Sequence, residues 1–174
     1  MLVGVLVAVL VVAVTVVAVG AVVSVRVVGP SMGPTLRDGD RVVVGGSAEV
    51  ARFDLVVVRF DEQAPAVVKR VVALPGDAVR IDPGPVVLVR PAGTGQWQRV
   101  DNPAWRGQWA RPSTTAEATV PPGELFLLGD NPDASEDSRR LGWAPSRLVR
   151  GTVAWRVYPP SRLGAVPADV TLGP

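Results

Sequence analysis

Of the 18 basic residues in the chain, 17 are arginine and one is lysine, and that lysine, Lys69, stands in a run of valines, VVKRVVALPGD (residues 67–77). Arginine stays charged at any working pH, whereas a buried lysine loses its proton and can act as a base. To be largely neutral at pH 7–8 its pKa must fall by about three units, roughly 4 kcal/mol at 1.36 per unit. Desolvation among apolar side chains can supply a shift of that size. A base needs a nucleophile to serve. Ser31, in GPSMGPTLRDGD (residues 29–40), offers a hydroxyl in a turn-rich setting, and a Ser-Lys pair requires no histidine. A third stretch, GDNPDASEDSRRLGW (residues 129–143), adds a hydroxyl at Ser135 able to orient an amine. It also carries Asp137 and Arg139, a pairing that could stiffen the loop and hold a catalytic pair in place.

Alone, each stretch has a plainer reading. Ser31 is an acceptable turn serine, and Asp38-Gly39-Asp40 a tight turn before a strand. Lys69 could sit on a strand edge and extend its amine to water, and the acids and arginines after Gly129 could solvate a loop.

Composition narrows the chemistry. The chain has no Cys and no His, which removes disulfides, thiolate nucleophiles, Ser-His-Asp and Cys-His arrangements, and histidine-based metal hydrolysis. Acid–base work falls to Asp, Glu, Lys69 or Tyr158, and no metal or cofactor site is expected. The arginines are scattered rather than striped, so nucleic acid is not an expected partner.

The elements that must position these residues are β-strands. Valine and alanine dominate the apolar fraction, and 18 Gly with 17 Pro indicate short strands and frequent turns. Strands are expected at 41–44, 54–60, 66–74, 78–81, 85–90, 123–129 and 148–158. In the 66–74 run, alternation puts Val67, Lys69, Val71 and Ala73 on one face and Val68, Arg70, Val72 and Leu74 on the other. Residues 91–122 hold Trp97, Trp105 and Trp109 without a clear period and are expected to form an irregular insertion. Ahead of all this, residues 2–25 carry no charge and are long enough to cross the roughly 30 Å hydrocarbon core of a bilayer. The run exceeds a cleavable leader's apolar stretch and lacks its basic start, so an uncleaved N-terminal anchor over 1–26 is expected. Arg26, on its C-terminal side, leans weakly toward keeping the following domain inside.

Taken together, the three stretches in this order behind one apolar span resemble the bacterial type I signal peptidases, membrane-anchored Ser-Lys endopeptidases. GPSMGPTLRDGD resembles their nucleophile box, VVKRVVALPGD their base-bearing box, and GDNPDASEDSR their last box. DNPAW (residues 101–105) is faintly similar to an insertion motif, and LVRGTVAWRVYPPSRLGAV to the closing strand and its exit. The likeness implies Ser31 as nucleophile, Lys69 as general base, Ser135 as the hydroxyl that orients the lysine, and Asp130, Asn131, Asp137 and Arg139 as supports. It implies Met32 and Pro34 beside the substrate, and an oxyanion held by the Ser31 N–H. Gly29 occupies a position where some members carry a serine donor, and Arg52-Phe53-Asp54 stands where the family usually has Arg-Gly-Asp.

The implied fold is mostly β, two antiparallel sheets behind one transmembrane helix, with a catalytic domain over 27–166 and a short tail over 167–174. The implied partners are exported preproteins carrying signal peptides, the lipid bilayer and a nearby translocon. The implied location is the cell membrane, single-pass, with the domain on the extracytoplasmic side, cutting after small residues. Two other readings stay open. One is a dedicated maturation peptidase of the same superfamily, of the nickel superoxide dismutase type, which would have a reduced insertion. The other is a catalytically silent, membrane-tethered β binding module. A self-cleaving repressor would need a DNA-binding motif where this chain has its apolar run.

Overall fold

The computed structural model describes residues 23–46, 49–83, 86–105 and 115–174. Most of the expected anchor, Trp109 and the middle of the expected insertion lie outside the described residues.

The Val-rich runs form strands because β-branched side chains pack well on a pleated, half-buried surface. In chain order the strands are β1 (Val23–Arg26), β2 (Arg41–Gly45), β3 (Leu55–Val58), β4 (Val67–Ala73), β5 (Ala78–Asp82), β6 (Val86–Arg90) and β7 (Gln98–Asp101). They continue as β8 (Thr115–Thr119), β9 (Glu124–Leu128), β10 (Ala144–Pro145), β11 (Val149–Tyr158), β12 (Gly164–Ala165) and β13 (Thr171–Gly173). Among the described residues they make two antiparallel sheets. One runs β1-β2-β11-β3-β4-β9-β10, with β12 beside β11, and the other runs β13-β7-β6-β5-β8.

The chain passes from the first sheet to the second at the turn of ALPGD. Asp77, 2% exposed, ties that corner together. It accepts from the Leu74 N–H at 2.7 Å, the Ala92 N–H at 2.9 Å and the Arg52 guanidinium at 2.6 Å.

The expected alternation of β4 holds from Val67 to Val71. Val56, Val58, Val71, Leu125 and Leu127 pack in one cluster with Val67, while Leu55, Val57 and Val68 pack in another with Met32 and Leu36. A register shift between Val71 and Ala73 breaks the alternation there, so Val72 and Ala73 both join the cluster under the second sheet. Ala73 therefore leaves the face it was expected to share with Lys69, and Leu74, expected on the opposite face, packs with Val67 and Val71.

Three expectations change. Val23–Arg26, counted with the anchor, is a strand, with Val23 opposite Val44 and Arg26 opposite Arg41. The remaining apolar residues, 2–22, still number about 20, enough for a crossing at about 1.5 Å per residue. No helix among the described residues is long and apolar enough to cross a membrane. The described parts of 91–122 are more regular than expected, since β7 and β8 both belong to the second sheet. Their strands are short and polar, with only Val100 of β7 buried, so no alternation marked them. The expected short tail over 167–174 carries a strand: β13 pairs with β7, and Val170 is 5% exposed in the core of the second sheet.

Candidate active site

Lys69 lies on β4, flanked by β3 and β9, and pairs directly with Val56. Direct cross-strand partners share a face, so the amine rises from the valine-lined side of the sheet. Lys69 is 2% exposed, and among the described residues its amine makes no hydrogen bond or ion pair. Burial pushes its pKa below the ordinary lysine value, against the opposing pull of the Asp137 carboxylate. Arg139 pushes the same way as burial, while Glu136 and Asp130 oppose it more weakly. All four of these charges belong to residues 130–139, so that segment forms the amine's electrostatic surroundings.

The segment is tied down at both ends. Asp130, fully buried, takes a two-pronged contact from Arg70, Nε at 2.8 Å and NH2 at 2.6 Å, and a third bond from Asn102 Nδ2 at 3.0 Å. Trp105 Nε1 donates to the Gly129 carbonyl at 3.0 Å. Asp137, also fully buried, accepts the Gly129 N–H at 3.0 Å and pairs with Arg139, whose NH2 reaches the Pro132 carbonyl at 2.7 Å. Ser138, which opens a single helical turn at Ser138–Leu141, accepts the Leu127 N–H at 2.9 Å and so welds the segment to β9. The expected Asp137–Arg139 pair is thus formed.

Ser135 is 8% exposed, and its Oγ is buried without a hydrogen-bond partner among the described residues. A buried hydroxyl left unpaired costs about 1–3 kcal/mol, so such a group calls for an explanation. Its side chain fills the space that a Cβ at Gly129 would need, and the Ser31 carbonyl oxygen would stand 2.5 Å from the same point. Gly129 is therefore the place where the Ser135 and Ser31 segments close on one another, and any side chain there drives them apart.

Ser31 sits in the turn between β1 and β2. Its carbonyl accepts the Asn131 N–H at 3.0 Å, which joins the serine turn to the segment beside Lys69. Among the described residues its own N–H has no acceptor. Met32 is 1% exposed and packs with Val27, Leu36, Val42 and Val68. The side chain thus anchors the turn from inside. Pro34 is exposed.

Gly29 has φ +87°, and a Cβ built there meets nothing within 4 Å. Its N–H donates to Asp38 Oδ1 at 2.9 Å. Space is therefore free and only the backbone objects, at about 1–2 kcal/mol for an L-residue. Gly29→Ser and Gly29→Ala should both lower stability by that amount in thermal melts. A serine variant as stable as the parent would mean that the turn leaves the left-handed region at no cost.

Phe53 is the one non-glycine residue with positive φ among the described residues, at 73°. This is the place where Gly was the expected residue, and a bulky side chain there is strained. Its carbonyl accepts Arg70 NH1 at 2.8 Å, its N–H donates to the Val71 carbonyl at 2.7 Å, and its ring packs against the core of the second sheet. Phe53→Ala should lose the packing and keep the strain, while Phe53→Gly should lose the packing and release the strain. We expect the glycine variant to be the more stable by about 1 kcal/mol. Urea titration of the two decides it, and the reverse order would remove the strain.

Charge, burial and backbone bonds thus bring Ser31, Lys69, Ser135, Asp130, Asn131, Asp137 and Arg139 into one region. Gly29 and Pro34 border it, and Met32 lies beneath it. Arg70, Asn102, Trp105 and Ser138 also belong to the assembly, and residue-by-residue reading passed over their roles. Arg70 was visible as a strand residue beside the lysine, Trp105 as one of the insertion's tryptophans, and Asn102 only through the faint DNPAW match.

Known proteins share sequence with this chain over most of its length. The family model described as signal peptidase, peptidase S26, matches residues 1–158. The signal peptidase I of Streptococcus pneumoniae serotype 4 is 27% identical over 172 residues, covering 81% of this chain and 84% of that protein. The signal peptidase I of Bacillus caldolyticus is 31% identical over 147 residues, covering 75% and 76%. Subunit 1 of the mitochondrial inner membrane protease of Xenopus tropicalis is 29% identical over 141 residues, covering 78% and 69%. A crystal structure of a signal peptidase I from Enterococcus faecalis aligns with a TM-score of 0.47 at 22% identity, covering 60% of this chain and 96% of that one.

Proposed function

The chain belongs to the signal peptidase, peptidase S26, family, and from that premise we propose that it is a membrane-bound serine endopeptidase removing N-terminal signal peptides from exported preproteins with a Ser31–Lys69 pair. The observation that carries the residue assignment is the buried amine: Lys69 is 2% exposed, held below its ordinary pKa by burial, and ringed by the segment that bonds to the Ser31 carbonyl.

In the mechanism, neutral Lys69 takes the Ser31 Oγ proton as the oxygen attacks the scissile carbonyl carbon. The oxyanion that forms is met by the Ser31 N–H. The lysine ammonium then gives its proton to the departing amine, and the C–N bond breaks to leave an acyl-enzyme. Water deprotonated by Lys69 cleaves that ester and returns both residues to their starting states. Ser135 Oγ, without a partner among the described residues, is the hydroxyl assigned to orient the amine during the reaction. Asp130, Asn131, Asp137 and Arg139 hold the loop that surrounds it, with Arg70, Asn102 and Trp105 as anchors.

The substrate class is taken from the family: relatives named signal peptidase I act on signal peptides, and cleavage after small residues is the corresponding reading for this chain. The apolar residues 2–22 anchor the protein in the membrane, single-pass, with the domain on the extracytoplasmic side near the translocon.

The test is to incubate the detergent-solubilised full chain with a preprotein and sequence the new N-terminus, with Ser31→Ala in parallel. Cleavage after a small residue by the parent is expected, and none by Ser31→Ala. Ser31→Ala should melt at the parent's temperature, since a single hydroxyl in a turn adds little stability. Cleavage by a folded Ser31→Ala protein would sink the Ser-Lys assignment.

A further inference from the structure

Asp40 ends the turn segment that carries Ser31 and is 2% exposed. Two arginines from the far end of the chain converge on it. Arg162 NH1 lies 3.0 and 2.9 Å from the two carboxylate oxygens, and Arg156 NH1 lies 3.6 Å from Oδ2. The same oxygen accepts the Arg37 N–H at 2.9 Å. One cation would neutralise this carboxylate, so the second must supply something else.

What the two guanidinium groups share is the backbone just after Ser31. Arg162 NH2 donates to the carbonyls of Thr35 at 3.2 Å and Pro34 at 3.4 Å. Arg156 NH1 donates to the Thr35 carbonyl at 3.1 Å, and its Nε to the Arg162 carbonyl at 2.5 Å. These carbonyls belong to a segment outside any strand, where no sheet ladder can satisfy them. Arg162 itself sits in the turn Pro160–Arg162 that follows β11. The serine turn is therefore held on one side by the Asn131 N–H and on the other by a fork reaching back from the C-terminal exit.

We propose that Arg162, seated on Asp40 and braced by Arg156, is a positioning residue that fixes the turn presenting Ser31. This rests on the reading of Ser31 as the nucleophile. A nucleophile must be held to within about 0.5 Å to be productive. Arginine suits the task because its planar fork grips a carboxylate and two carbonyls at once, which a lysine ammonium cannot do in one geometry.

The experiment uses the full chain in detergent with a preprotein substrate, comparing Arg162→Ala, Arg162→Lys and Ser31→Ala. For Arg162→Ala, kcat should fall about 10- to 100-fold with KM within about twofold, as for a reacting group displaced by about 1 Å. The acid limb of its pH profile should keep its midpoint, because Lys69 is untouched. Arg162→Lys should regain the melting temperature through Asp40 but little of kcat, and added guanidinium ion should restore part of kcat to Arg162→Ala. Hydrogen exchange of the amides from Met32 to Asp40 should speed up in Arg162→Ala, a readout independent of catalysis. A kcat within twofold of the parent, full restoration by lysine, or unchanged exchange would each overturn the proposal. If Arg162→Ala fails to fold, the folded lysine variant decides by the same split between kcat and melting temperature. Failure of the underlying reading looks different: Ser31→Ala would then still cleave, whatever Arg162 does.

Discussion

Lys69→Arg is expected to be as inactive as Lys69→Ala, a loss of at least about 10²–10⁴-fold in kcat. The substitution keeps the charge and would pass unnoticed on a surface. At a position 2% exposed, with valines across the strand and no ion-pair partner among the described residues, its effect is severe for a specific reason. The base must be neutral, and guanidinium cannot shed its proton. Arginine would also place a permanent charge where only a neutral amine is tolerated.

The companion variant Lys69→Met should be equally inactive yet at least as stable as the parent, since it fills the same space without a polar group. The pH dependence of that gain has a fixed sign. The unfolded chain holds the lysine proton up to about pH 10.4, whereas the folded chain releases it at lower pH. Between those two values the unfolded state binds more protons, so stability of the parent rises with pH. The cost of burying Lys69 is therefore largest below the folded pKa and vanishes above the unfolded one. Denaturant melts of the parent and Lys69→Met should converge as the pH climbs toward 10, and curves that stay parallel would contradict the lowered pKa.

Asp130→Ala should cost about 3–5 kcal/mol, because removing one partner of a buried ion pair leaves the other charge uncompensated. Arg70 and Asp130 have side-chain exposures of 2% and 0%, and Asn102 loses its acceptor as well. Against a typical total stability of about 5–15 kcal/mol, such a loss leaves a population largely unfolded at 37 °C. Pairing it with Arg70→Met should recover most of the stability, since apolar replacement of a whole buried pair is often neutral. Urea unfolding of the single and double variants measures both. A loss below about 1 kcal/mol in Asp130→Ala would mean that water reaches the pair.

The strands that bear valines could be read from the chain, because burial on one or both faces leaves a pattern of period two. Strand β1 could not be separated from the apolar run that precedes it, since it is valine-rich and uncharged up to Arg26, its last residue. Strands β7, β8 and β13 owe their existence to partners far along the chain, and their polar residues carry no alternation to betray them. The site shows the same division. Ser31, Lys69 and Ser135 announce themselves by type and by the absence of histidine. Arg70 with Asp130, and Arg162 with Asp40, look like ordinary surface charges until the fold joins residues 60 and 122 positions apart. Met32 was legible as an apolar residue beside the serine, but the sequence does not show which way the turn points it, and its packing with Val27 and Leu36 came only with the fold.

Because Lys69 is the only lysine, the central claim can be measured without resonance assignment. Growth on lysine labelled with carbon-13 at Cε gives the full-length, detergent-solubilised protein a single lysine side-chain signal. Its chemical shift, followed against pH, reports the protonation of that one amine. The account predicts a midpoint well below the ordinary value of about 10.4, with the amine substantially neutral in the pH range where the protein cleaves preprotein. A signal that titrates near 10.4 in the folded protein would show a lysine charged throughout that range, unable to take the Ser31 proton.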